Sequence, residues 1–149
     1  MNEPEWLDLT FGERSLQRGP AICVGRGSYR LGWTPLFAGD TDEDLELYWG
    51  DVIEVEPTAD DRQRFVRIVA RGPFEHLGYV VGPAFLQSPY FDVFTNALET
   101  ARGSWEVLIN GWLLAHVPIG SSFDVDEELL RERIRAYEAG VRDEPPNSD

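Results

Sequence analysis

Ten carboxylates fall between Asp40 and Asp61 with no basic residue among them: Asp40, Asp42, Glu43, Asp44, Glu46, Asp51, Glu54, Glu56, Asp60 and Asp61. A run of this kind repels phosphate and attracts a cation or a basic protein surface. Asp40-x-Asp42-x-Asp44 has the oxygen spacing of a calcium loop, with Glu46 and Asp51 at further ligand positions. Yet Leu45 stands where that loop needs glycine for its sharp turn, and Asp51 stands where it needs glutamate. We therefore expect no metal, and read the run as a docking surface for a basic partner, with a merely solvated loop as the plainer alternative. Trp33, Phe37, Tyr48 and Trp49 flank it, and aromatic anchors ringed by charge are the usual composition of a binding hot spot. The candidate partner-binding set is thus Asp40, Asp42, Glu43, Asp44, Glu46, Trp33, Phe37, Tyr48 and Trp49.

Other chemistry is sparse. His76 falls in an expected turn, Pro73-Phe74-Glu75-His76, and His116 in an expected strand; neither has metal-ligand spacing to another histidine or to cysteine. Cys23 is the only cysteine, which excludes an internal disulfide, and it reads as a small residue buried in an apolar strand. There is no nucleophile elbow, phosphate-binding glycine loop or dinucleotide fingerprint. We expect no catalytic residue and no cofactor.

The chain has 149 residues and a net charge of −14, from 27 acids set against 13 arginines with no lysine. Nucleic-acid binding needs the opposite balance, because phosphate contacts supply most non-specific affinity. No apolar run is long enough to cross a bilayer, and the N-terminal residues lack the pattern of a signal peptide. A cytoplasmic protein without a membrane or nucleic-acid partner is expected.

The elements that must position the acidic run begin with a half-buried strand over Trp6–Phe11, in which Leu7, Leu9 and Phe11 share one side. Further strands are expected at Ala21–Val24, Ser28–Leu31, Asp51–Glu56, Arg64–Arg71 and Gly78–Val81. Ser88-Pro89 caps a helix, with Phe91, Phe94, Leu98 and Ala101 at helical spacing and Gly103 as its stop. Asn110-Gly111 between apolar runs signals a hairpin. With a two-residue turn, Ile109 faces Trp112, Val107 faces Leu114 and Trp105 faces His116. A last helix starts at Asp124-x-x-Glu127 and buries Leu130, Ile134 and Tyr137. The expected fold is α+β, with a β-rich half over about residues 5–82 and a β-α-β-β-α half, part of a ferredoxin-like sandwich, over about 88–140. Both halves are expected in one domain, 1–140, followed by a disordered tail at 141–149.

Three segments carry a family likeness. Tyr29-Arg30-Leu31-x-x-x-Pro35-x-Phe37, Gly50-Asp51-Val52-Ile53-Glu54-Val55-Glu56-Pro57 and Arg64-Phe65-Val66-Arg67-Ile68-Val69 resemble an uncharacterised family of bacterial domains of unknown function. Trp33 stands where that family has asparagine, Leu36 where it has phenylalanine, and the acidic insertion before Gly50 is longer. The resemblance implies an architecture and a bacterial source, and no activity.

Size, charge and the missing catalytic motifs together fit an immunity-type inhibitor that occludes the basic surface of a partner such as a bacterial toxin. The other classes left open are a small-ligand protein or enzyme with an unrecognised site between the two halves, and a regulatory domain.

Overall fold

The computed structural model describes residues 3–11, 15–35, 46–108 and 111–140. Its order is β1 (Glu5–Phe11), β2 (Ser15–Gly25), β3 (Ser28–Leu31), β4 (Val52–Pro57), β5 (Gln63–Ala70), β6 (Phe74–Val80), α1 (Pro83–Leu86), α2 (Pro89–Thr100), β7 (Ser104–Leu108), β8 (Trp112–Pro118) and α3 (Glu127–Glu138). The fold is α+β with strands dominating the first half. It divides into two compact units, Met1–Pro73 and Phe74–Asp149. The strand expected at Gly78–Val81 therefore belongs to the second unit and not to the β-rich half. The tail from 141 lies outside the described residues.

In the first unit β1 to β5 form a closed barrel. Consecutive pairs are antiparallel, and closure joins β1 to β5 in parallel. An odd number of up-and-down strands forces that parity, since the first and fifth run the same way. Alternation along β1 turns Leu7, Leu9 and Phe11 inward against Ala21, Leu31, Ile53 and Val55. Strand β2 starts well before the expected Ala21 and runs through Gly19-Pro20. Proline is tolerated there because backbone N and C=O of one strand residue point to the same neighbour. The Pro20 carbonyl accepts from Gly32 N, just past the end of β3, so the missing N–H costs no ladder bond to β1. Cys23 on β2 is half-buried and donates through Sγ to the Gly25 carbonyl, so it is not the fully buried residue expected.

The second unit holds a three-stranded antiparallel sheet in the order β6-β8-β7, the split β-α-β arrangement of ferredoxin-like motifs. One sheet face presents Tyr79, Leu113, Ala115 and Val117 to Phe91, Phe94 and Leu98 of α2 and to Leu130, Ile134 and Tyr137 of α3. Ser88 caps α2 by accepting from Phe91 N, as its position before Pro89 predicts. Helix α3 is capped by Asp126, which accepts from Leu129 N, and so starts two residues later than the Asp124 cap expected.

The β7–β8 register differs from expectation by one residue. Leu108 faces Trp112, Val107 faces Leu113 and Trp105 faces Ala115. The connection is three residues long and ends in Gly111 at φ 75°, the left-handed position a three-residue hairpin loop needs. A side chain there would also meet the Val81 carbonyl, because Gly111 O accepts from Val81 N across the β6 ladder. The slip moves His116 to the same face as Glu106.

Tyr79 on β6 donates through its hydroxyl to Glu127 at 2.9 Å. Burial first, and then the Glu127 carboxylate, push its ionisation well above the ordinary value. A raised folded value gives stability that is complete below about pH 10, where the unfolded phenol titrates, and lost as pH rises beyond it. Tyr79→Phe should flatten that alkaline loss in denaturant melts between pH 9 and 12. An unchanged alkaline slope would mean that other groups control it.

Candidate functional site

The acidic run is not uniform once folded. Cross-strand pairing sets Glu54 opposite Arg67 and Glu56 opposite Arg64 on the antiparallel β4–β5 ladder, and both pairs form ion pairs, Glu54–Arg67 at 2.6 Å. Asp60 pairs with Arg62 in the connecting loop at 3.5 Å. Downstream of Gly50, then, arginines of β5 and the loop answer most of the charge. These exposed pairs add little stability, about 0–1 kcal/mol each, but they quench the local field.

Asp51, one of the ten carboxylates of the run, does not contribute to an exposed patch. Its side chain is fully buried. One oxygen accepts from Tyr48 N (3.0 Å) and from the Arg71 guanidinium (2.9 Å), and the other from Gly72 N (2.9 Å). Arg71 also donates to the Glu46 carbonyl. Thr34, itself buried, accepts through Oγ1 from Trp49 N at 3.0 Å, while Gly50 N donates to Leu31 O and Leu31 N to Asp51 O. These bonds pin Leu31–Thr34 and Glu46–Asp51 to one another. Fixed in this way are the two stems between which the sequence carries Asp40, Asp42, Glu43 and Asp44.

Of the candidate set, Trp33, Glu46, Tyr48 and Trp49 fall on these stems. Glu46 is exposed and accepts from the Tyr48 hydroxyl at 3.4 Å. Burial, and then Glu46, raise the ionisation of Tyr48. Trp33 is half-buried with its indole flat against Gly19, where a Cβ would stand 2.2 Å from the ring. Its indole nitrogen has no hydrogen-bond partner among the described residues. Phe37, Asp40, Asp42, Glu43 and Asp44 lie outside the described residues.

A second constellation escaped the sequence reading. His76 lies within β6, not in a turn, and faces His116 on β8. Their Nδ1 atoms are 2.8 Å apart, and His116 Nε2 lies 2.6 Å from a Glu106 carboxylate oxygen. His116 is fully buried. A carboxylate only accepts, so the proton sits on His116 Nε2. With both rings neutral, His116 Nδ1 then accepts from His76 Nδ1–H. Such a chain can orient an imidazole for proton transfer, and it can equally satisfy buried polar groups in a sheet. The available signal was parity: once the hairpin slips by one, Glu106, His116 and His76 share a face. Among the described residues no group of three or more histidine, cysteine or acidic side chains is arranged to hold a metal ion. None of the described helices is long and apolar enough to cross a membrane.

No protein-family model matches the chain, and no curated protein does. Among solved structures, it is similar to the crystal structure of a hypothetical protein from Neisseria gonorrhoeae. The two share 15% sequence identity at a TM-score of 0.52, over 93% of this chain and 90% of that one. At that identity the likeness speaks to the fold alone.

Proposed function

We propose that this protein is an acidic protein-binding module, an immunity-type inhibitor that occludes a basic surface of a partner such as a bacterial toxin. The observation that carries the reading is an asymmetry of charge. Glu54, Glu56 and Asp60 are each matched by an arginine, whereas exposed Glu46 forms no ion pair among the described residues. The sequence between the pinned stems adds Asp40, Asp42, Glu43 and Asp44 with no basic residue. Stems held by the Asp51–Arg71 and Thr34–Trp49 bonds reduce the entropy a recognition segment loses on binding. Steering acts over a Debye length of about 8 Å at physiological salt, so adjacent acids act together. Trp33, Phe37, Tyr48 and Trp49 provide the apolar contact.

The test is charge reversal. With the partner recovered by affinity capture from the native host, Asp42→Arg/Asp44→Arg should lower its association rate constant by about tenfold or more at low salt. The gap should narrow as salt rises. Equal rates for the variant and the parent protein at every ionic strength would remove the acidic segment as the recognition surface. An enzyme is the second reading, favoured only by the Glu106–His116–His76 chain.

A further inference from the structure

We propose that the β6 edge of the second unit is a docking site for an extended segment of a partner protein, one that alternates apolar side chains and carries a carboxylate. Strand β6 is the edge of its sheet. Val81 N donates to Gly111 O, which fixes the parity of the ladder: residues 79 and 77 exchange bonds with β8, while Gly78 and Val80 point their N–H and C=O groups away from it. Those outward groups have no hydrogen-bond partner among the described residues. An edge of this kind is a template for another strand unless it is covered, bent or charged.

The surroundings state what that strand should carry. A cleft of about 270 Å³ at this edge is lined by Gly78, Val80 and Trp112 of the sheet and by Arg131 and Arg135 of α3. Val80 is 76% exposed and Trp112 38% exposed, an apolar pair facing each other across the β6–β8 ladder at the rim. Gly78 is what lets the indole lie so close, since a Cβ there would stand 2.6 Å from Trp112 Nε1. Arg131 is held over Tyr79 and near Glu127. The Arg135 guanidinium has no ion pair among the described residues, in a chain where acids outnumber arginines two to one. One carboxylate suits this cleft. An acid-rich segment would be opposed by the net charge of −14.

The site lies wholly in the second unit and does not rest on the proposed function. The test uses the full chain, labelled with nitrogen-15, titrated with acetylated and amidated heptapeptides in which one Glu is walked through an alternating Val/Thr frame. At least one register should slow hydrogen exchange at the Gly78 and Val80 amides by about tenfold, the mark of a newly paired strand. Arg135→Ala, an exposed change, should weaken that peptide by about fivefold, the upper range for a surface ion pair. The proposal is overturned if no peptide protects these amides, or if sodium acetate alone reproduces the peptide's chemical shifts, marking a small-anion site. Amides already protected in a concentration-dependent dimer would assign the edge to a second copy and overturn it too.

Discussion

Asp51→Ala should destabilise the first unit by about 3 kcal/mol, more than any other single carboxylate of the acidic run. The side chain is enclosed and accepts three hydrogen bonds, two of them from the backbone amides of Tyr48 and Gly72. Alanine would leave both amides without their acceptor, and buried donors that lose their acceptor cost about 1–3 kcal/mol each. Arg71 is half exposed, so it rehydrates in Asp51→Ala, whereas Arg71→Ala strands the enclosed Asp51 carboxylate without its counter-charge and should also cost about 3 kcal/mol. For a unit of this size the Asp51 variant should melt on the order of 15 °C lower. Calorimetry of the full chain, with both variants and Glu54→Ala as an exposed reference, checks the order. Were Asp51→Ala no worse than Glu54→Ala, the network would not be what fixes the stems.

Asp51 also shows what the sequence conceals. Gly50-Asp51-Val52 reads equally well as the last step of an acidic loop and as the start of a strand, and composition cannot separate a buried acceptor from an exposed charge. Arg71, twenty positions away, decides between them, and only the β4–β5 pairing brings it near. The same pairing turns Glu54 and Glu56 from members of a negative patch into halves of cross-strand pairs. Local signals carried part of the first unit, though they placed the start of β2 six residues late. Leu7, Leu9 and Phe11 alternate strictly, so β1 was clear from period alone; barrel closure was not, because the β1–β5 contact joins Leu9 to Gln63 with no local mark.

In the second unit the helices were readable from their caps and spacing, Ser88 for α2 and Leu130, Ile134 and Tyr137 for α3. The short helix α1 was missed because its four residues offer less than two turns of pattern. The hairpin shows how a correct motif can give a wrong register. Asn110-Gly111 does mark the turn, but dipeptide identity does not distinguish two residues from three, and every facing pair depends on that count. His76 was misplaced for a related reason. Pro73 suggested a turn continuing through His76, whereas β6 begins directly after the proline, as an extended residue following it can.

That one-residue slip creates the Glu106–His116–His76 chain, and its removal carries the second large effect. His116→Ala should cost about 3 kcal/mol, combining a cavity beneath the sheet with a Glu106 carboxylate that loses its donor. Glu106→Gln should cost about 1 kcal/mol, because a side-chain amide can still present an oxygen to His116 Nε2–H. Glu106→Leu should approach the His116 value, since it leaves that N–H buried without an acceptor. Chemical denaturation of the full chain reads all three. A direct check on the arrangement is the ring tautomer at a pH where both imidazoles are neutral. Nitrogen-15 spectra should show His116 protonated at Nε2 and His76 at Nδ1, the latter the reverse of what a free imidazole side chain prefers. If partner capture survives His116→Ala under conditions where the variant remains folded, the chain is a structural device within the sheet. Loss of a catalytic activity with retained stability in Glu106→Gln would instead move the weight to the enzyme reading, because the amide keeps the geometry and removes only the charge.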